Sequence, residues 1–450
     1  MNFTLKELFE DVPNEFANME FPSHLATDSR DVTSGDAFIA IEGEKTDGHK
    51  YIPQAIENGA GLLIVRKGKA PEGISIPVIE LDEPERDLAL IASKKLHAHE
   101  LSDIIAITGS VGKTTTRAAL QLVLRDKFRV HAPERSLNTL IGCTATIMAM
   151  PKETEILILE FGANKPGEIK ELSEYFPPTI AILTAIAPVH LEGFRSIEGV
   201  LEEKLEITRP SSIDKIIFNN DNEYLTESFK YTVKSMGVGE SSDSDFVLSI
   251  DNSEYTLPAL SFVLALRQTQ EIARYTANIW GRHNAMPLAL AAATAHELGI
   301  SLQESSEALA DFQALNGRGK VIIREDGKFI VDDSYNANPA SMSASLETFA
   351  KIKSNGKIAV LGEMRELGEN SAKYHSELKP LLDDIDHVIL VGSIWHDALG
   401  DESGYTFASD WREALVLLRN IMSSSEWKGI LVKGSNSIGL FNIIKELSCE

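Results

Sequence analysis

At 450 residues the chain is too long for one ordinary core, so two or three domains are expected. Its 43 basic against 67 acidic residues leave a formal charge of −24, a field that repels polyanions and excludes nucleic acid as a partner. Cys143 and Cys449 lie far apart without zinc spacing, the polar N-terminus lacks a signal-peptide pattern, and the longest apolar run, Leu260–Leu266, falls well short of the roughly 18 residues of a membrane span. A cytoplasmic protein without disulfides or a membrane segment is expected, and we read it as a monomer.

In chain order, residues 1–100 mix strand-like runs at 37–41, 61–65 and 76–81 with a helical stretch at 52–58. They close on an amphipathic segment, 84–101, expected as a helix leading into the next domain. The second block, 101–312, opens with the apolar run Asp103–Thr108, a Gly-rich turn, and an amphipathic helix to about residue 128. Apolar runs at 156–161, 179–186 and Lys215–Asn219 alternate with helical segments, the pattern of a parallel sheet covered on both faces. The stretch 235–270, with its short alternating runs, reads as an antiparallel excursion, and helices at 284–297 and 302–311 end the block. The third block, 313–450, begins with a hairpin, 321–324 and 329–332 around Asp326-Gly327. Strand-like runs at 358–362, His387–Val391 and 429–432 then alternate with helices, a Rossmann-like pattern without the G-x-G-x-x-G of a dinucleotide site. The fold class is therefore α/β in three domains.

The chemistry is concentrated at 104–116, where an apolar strand runs into Gly109-Ser110-Val111-Gly112-Lys113-Thr114-Thr115-Thr116. Glycines let such a turn fold tightly enough for its N–H groups and the following helix N-terminus to face a phosphate. Lys113 would reach the β- and γ-phosphates of ATP, and the Thr114 hydroxyl suits Mg²⁺. The general phosphate loop places its first glycine where Ile107 stands, so this shorter G-x-x-G-K-T-T form argues against the GTPases and motor ATPases. Glu160, at the C-terminal end of a buried strand, offers the hard carboxylate oxygen that Mg²⁺ prefers. His190 follows the next strand, where it is either a metal ligand or a packed imidazole.

With further segments in the same order, these residues resemble the Mur ligases of peptidoglycan synthesis, and within them the MurF type. The segments are Thr27-Asp28-Ser29-Arg30, Gly35-Asp36-Ala37-Phe38, Asp47-Gly48-His49, Glu160-Phe161-Gly162-Ala163, His190-Leu191-Glu192 and Gly281-Arg282-His283-Asn284. The third block adds Asp332-Asp333-Ser334-Tyr335-Asn336-Ala337-Asn338-Pro339, Gly362-Glu363-Met364-Arg365-Glu366-Leu367-Gly368 and Val432-Lys433-Gly434-Ser435. The resemblance implies a small UDP-binding domain (1–100), a central ATPase domain (101–312) and a Rossmann-like C-terminal domain (313–450). It implies an ATP-dependent ligase that adds D-Ala-D-Ala to UDP-MurNAc-tripeptide through an acyl phosphate. Gly109, Ser110, Val111, Gly112, Lys113, Thr114, Thr115, Asn284, Arg318, Asp333 and Tyr335 would then hold ATP. Thr114, Glu160, His190 and Lys204 would hold two Mg²⁺ ions, with Lys204 converted by CO₂ to a carbamate, since an ammonium would repel the ion. Lys113, Lys204 and His190 would be catalytic. Ser29 and Arg30 would face the UDP group, and Asn138, Asn336 and Arg365 the remaining substrate atoms.

The chain departs from that pattern at Thr139, Ala185 and Lys165, where the MurF type commonly carries Asn, Asn and His. The neighbouring readings are a MurE-type amino-acid ligase, whose diaminopimelate-adding members carry D-N-P-R in the third domain, and a non-catalytic nucleotide-binding homologue. A folylpolyglutamate-synthase-like ligase would lack the UDP-binding block.

Overall fold

The computed structural model describes residues 4–9, 12–43, 46–250, 259–352, 354–400 and 404–448; Cys449 lies outside them. The N-terminal block forms a four-stranded, wholly parallel sheet in the order Leu25–Ala26, Ala37–Ile39, Leu62–Arg66, Val78–Leu81. Ala37–Ile39 and 62–65 are buried throughout, which is why they read as continuous apolar runs rather than alternation.

Helix Pro84–His97 carries Pro84 in its first turn, Glu85 and Asp87 near its N-terminus, and Lys94, Lys95 and His97 in its last turn. Each of these suits the local end of the helix dipole. Its buried face (Leu88, Ala89, Ile91, Ala92, Leu96) does not stay within the first block. It shares one core with Ile147, Leu157, Leu159 and Phe161 of the second. Lys95 crosses the same boundary, its amine donating to the carbonyls of Met148 (2.6 Å) and Met150 (3.2 Å). Burial lowers its pKa to about 8.

The central sheet has nine strands in the order Ile272–Ala277, Leu260–Leu266, Phe246–Ile250, Ser235–Gly239, Lys215–Asn219, Ile180–Leu183, Asp103–Thr108, Ile156–Glu160, Val130–His131. The antiparallel excursion expected over 235–270 begins later than the sequence suggests. Ser235–Gly239 and Phe246–Ile250 continue the sheet in parallel, the latter through only two paired residues. Helix Glu223–Phe229 supplies the crossover that a parallel strand at Ser235–Gly239 needs. Among the described residues only Leu260–Leu266 runs against the other strands, antiparallel to both Phe246–Ile250 and Ile272–Ala277, and in it and Ile272–Ala277 burial alternates residue by residue.

The third sheet runs Lys320–Ile323, Phe329–Asp333, Gly429–Lys433, Lys357–Gly362, His387–Val391, Thr406–Ala408, with the expected hairpin antiparallel and every other pair parallel. The last strand in sequence, Gly429–Lys433, is thus central in space. Its first residue packs so closely on the neighbouring ring that a Cβ at Gly429 would sit 2.2 Å from Phe329 Cζ. Gly429→Ala is therefore expected to cost about 1–3 kcal/mol by overpacking. The denaturation midpoint reads this, and adding Phe329→Leu should recover part of the loss.

Candidate ATP and metal site

Strands Asp103–Thr108, Ile156–Glu160 and Ile180–Leu183 are parallel neighbours, so their C-terminal ends open on one side of the sheet, where such folds bind ligands. Thr108 runs into the glycine turn. Gly109 has φ +139°, and a Cβ there would lie 2.1 Å from Thr184 Oγ1, so no side chain fits. The turn is braced by the segment after the third strand. Ser110 N donates to Ala185 O (2.7 Å), Ala187 N donates to Ser110 Oγ (2.9 Å), and Thr184 Oγ1 donates to Val111 O (2.5 Å). Ala185 acts here through its backbone alone.

Helix Lys113–Leu124 starts directly at the turn. Lys113 Nζ donates to Gly109 O (2.5 Å), and burial lowers its pKa to about 8 against the opposing pull of Glu160. One step on, Thr114 Oγ1 donates to Glu160 Oε2 (3.0 Å). The Glu160 carboxylate is wholly buried, and it also accepts from Arg117 Nε (2.8 Å) and Ser136 Oγ (3.2 Å). Arg117 and Ser136 escaped the sequence reading. The signal for Arg117 was its position, three residues beyond Thr114 on the face that meets Glu160.

Lys204 ends helix Ile197–Leu205, whose N-terminus Ser196 caps through Gly199 N. The side chain is 1% exposed, and burial, reinforced by the Lys113 charge, lowers its pKa to about 7. The adjacent Glu203 accepts from Gly167 N (2.7 Å) and Ile169 N (2.6 Å), so the Lys204 turn is tied to the start of helix Glu168–Tyr175. Lys113, Lys204, His190, Asn138 and Lys165 all line one cavity of about 560 Å³, together with Arg66 and Arg86 of the N-terminal block. Asn138 lies against Gly162, where a Cβ would be 2.6 Å from its amide. Thr139 caps helix Leu140–Met148, accepting from Gly142 N (3.3 Å). His190 has φ +50°, and its Nδ1 meets Glu366 of the C-terminal domain. Burial lowers its pKa, with Glu366 pulling the other way.

A second cavity, about 200 Å³, lies between the glycine turn and the C-terminal domain. Ser110, Val111, Gly112, Thr115 and Asn284 face Arg318, Asp333, Tyr335, Asn336 and Lys433 across it. The Arg318 guanidinium stacks 4.0 Å over the Tyr335 ring. Asp333 accepts from Lys433 Nζ and Ser345 Oγ, both at 2.7 Å, and Lys433 also donates to Asn336 O (3.1 Å). Asn284 Nδ2 donates to Trp280 O (2.7 Å). It stands 3.2 Å from Nε2 of His283, whose pKa burial lowers to about 4.

Three sequence-derived candidates lie apart from both cavities. The Ser29 hydroxyl donates inward to Gln54 Oε1 (2.7 Å), and the exposed Arg30 pairs with Asp28. Arg365 pairs with Glu363 (2.6 Å) beside Gly392 and Ser393 in a third cavity. Glu42, Asp47 and His49 bring three possible ligand atoms within 4.8 Å, but Arg66 and Lys69 already neutralise them.

The donor set fits Mg²⁺ at Thr114 and Glu160, where two hard oxygens lie 3.0 Å apart beside the turn. It fits a nucleotide phosphate at the turn itself, with Lys113 and the start of helix Lys113–Leu124 beside it.

A glycine turn of phosphate-loop form on a parallel sheet, faced by a C-terminal domain across a second cavity, is the arrangement of a three-domain α/β ATP-dependent ligase. Residues 23–98 match the family model "Mur ligase family, catalytic domain", 107–295 "Mur ligase middle domain", and 317–436 "Mur ligase, glutamate ligase domain". A UDP-N-acetylmuramoyl-tripeptide–D-alanyl-D-alanine ligase of Bacillus subtilis (strain 168) is 30% identical over 99% of this chain and 98% of its own. MurF from Acinetobacter baumannii superposes with a TM-score of 0.84 at 27% identity, covering 100% of this chain and 99% of that one. MurF from Thermotoga maritima, solved in complex with ADP, gives 0.80 at 25% identity over 95% and 97%. The chain belongs to the Mur ligase family.

A lysine whose folded pKa is lowered costs stability in full below that pKa, and the cost fades as pH rises toward the unfolded value. Lys204→Met is therefore expected to raise the melting temperature of the metal-free, CO₂-free protein at pH 6. That advantage should shrink as pH rises from 7 toward 10, which differential scanning fluorimetry across pH measures.

Proposed function

We propose that this chain joins D-alanyl-D-alanine to the terminal carboxylate of UDP-N-acetylmuramoyl-tripeptide at the expense of ATP. The observation that carries this reading is the cavity shared by Lys113, Lys204, His190 and the N-terminal block, set directly against the phosphate turn. A carboxylate and an amine do not condense in neutral water, because hydroxide leaves poorly. In the proposed route the tripeptide carboxylate attacks the γ-phosphorus of ATP and expels ADP. The dipeptide amine then attacks the acyl phosphate carbonyl, loses a proton, and expels inorganic phosphate.

Lys113 and the N–H groups of the glycine turn hold the phosphates and offset the charge that builds on them. Thr114, Glu160 and His190 would hold Mg²⁺, which supplies Lewis-acid charge neutralisation when bound. A near-neutral pKa leaves a large share of Lys204 as free amine at pH 7, the form that adds CO₂ to give a carbamate and a proton. The product is an anion suited to a second Mg²⁺. Arg66 and Arg86 line the cavity and are better placed than Ser29 or Arg30 to meet the diphosphate of the acceptor. We place the domain limits at 1–100, 101–312 and 313–450, and the reaction in the cytoplasm.

Phosphate release measured with ATP, UDP-MurNAc-tripeptide and D-Ala-D-Ala, each omitted in turn, tests the reading. Release is expected only with all three, and release without the dipeptide would sink it. Lys113→Ala should lower turnover at least about a hundredfold with the fold intact by circular dichroism. Activity of Lys204→Ala should return in part with added short carboxylic acids, and the absence of any rescue would count against the carbamate.

A further inference from the structure

Among the described residues only four that are not glycine have a positive φ, and two of them, His190 (+50°) and Glu366 (+64°), touch each other. An L-residue adopts that backbone only when its surroundings impose it. For Glu366 the surroundings are plain. Met364 N donates to His375 Nε2 (2.9 Å), Arg365 N donates to Ser435 Oγ (3.0 Å), and Met364 and Leu367 are buried. With both flanks pinned, the left-handed turn projects Glu366 out of the C-terminal domain and onto the His190 ring. Gly368 follows against Glu192, with a Cβ position 3.8 Å from Glu192 Cγ, so two points of this loop rest on residues 190–192.

We propose that Glu366 is a positioning residue for the metal site. Its carboxylate accepts the hydrogen bond of His190 Nδ1–H, holding the proton on that nitrogen and leaving Nε2 as the ring nitrogen free to bind the ion. The proposal rests on the reading of His190 as a metal ligand. A carboxylate only accepts, so a neutral imidazole facing one carries its proton on that side and its lone pair on the other. Carboxylates placed in this way fix the tautomer and raise the basicity of metal-binding histidines. Here the carboxylate belongs to a different domain from the ligand it orients, so the imidazole is set for the metal only when the C-terminal domain is docked.

The test uses Glu366→Gly, which accepts the left-handed backbone and removes only the carboxylate, beside Glu366→Gln. Ring ¹⁵N shifts of His190, assigned by their loss in His190→Ala, are recorded on the metal-free protein. Affinity for Mn²⁺ with ADP present is measured by electron paramagnetic resonance. Expected are an Nδ1–H tautomer in the parent that is lost in Glu366→Gly, and Mn²⁺ binding weakened about ten- to a hundredfold. No further weakening should follow when Glu366→Gly is added to His190→Ala. Unchanged ring shifts and Mn²⁺ affinity in Glu366→Gly overturn the proposal while leaving His190 as a ligand. Unchanged affinity in His190→Ala removes the metal role of His190, and the proposal with it.

Discussion

Where the central strands end, the wholly buried carboxylate of Glu160 meets the buried Arg117 and the half-buried Lys113, with the buried Lys204 beside the same cavity. Glu160 is engaged by Arg117, and both lysine amines are taken out of water, Lys204 with the added repulsion of Lys113 against the pull of Glu203 and Glu168. Water cannot solvate them there, which is why both amines hold their protons less tightly than in solution. The ligands proposed for the cleft are anions, phosphates, a carboxylate, and a carbamate made from one of the lysines, and would offset the charge the amines carry. In a protein of net charge −24, these two amines set positive groups directly beside the glycine turn.

That cleft is not complete within the central domain. Arg318, Asp333, Tyr335 and Lys433 of the C-terminal domain close the proposed nucleotide side, and Glu366 of the same domain reaches the proposed metal side. The N-terminal block, by contrast, shares apolar packing with the central sheet through helix Pro84–His97 and the Lys95 amine. The C-terminal domain takes Trp280 of the central block into its own core, and otherwise meets the cleft through charged pairs such as His190 and Glu366. Polar contacts at a domain boundary are the kind that open and close with ligand, as the proposed acyl phosphate would require for shielding from water.

Most of the architecture was legible because parallel strands buried on both faces announce themselves as apolar runs, as at Asp103–Thr108 and Ile156–Glu160. Two-residue strands such as Leu25–Ala26 and Val130–His131 carry no periodicity and went unseen. So did the parallel pairing of Ser235–Gly239, which depends on a crossover helix rather than on its own composition. At the site, the glycine turn, Glu160 and His190 were readable because their chemistry is local. Arg117, Lys433 and Glu366 were not assigned roles, because each acts through a partner 43, 100 or 176 positions away in the chain (117 to 160, 333 to 433, 190 to 366). The inward turn of Ser29 onto Gln54 was likewise invisible without coordinates.

The placement of Gly429–Lys433 in the middle of the third sheet has a consequence for how the protein is made. Synthesis runs from the N-terminus, and domains fold as their chains emerge. The strands Phe329–Asp333 and Lys357–Gly362 leave the ribosome early, but they do not touch each other; each waits for the same late strand. Lys433 arrives with that strand and supplies the counter-charge of Asp333 beside the nucleotide cavity. A nascent or prematurely terminated chain therefore carries a finished glycine turn and an unfinished second cavity. The second cavity is withheld until strand Gly429–Lys433 has been made.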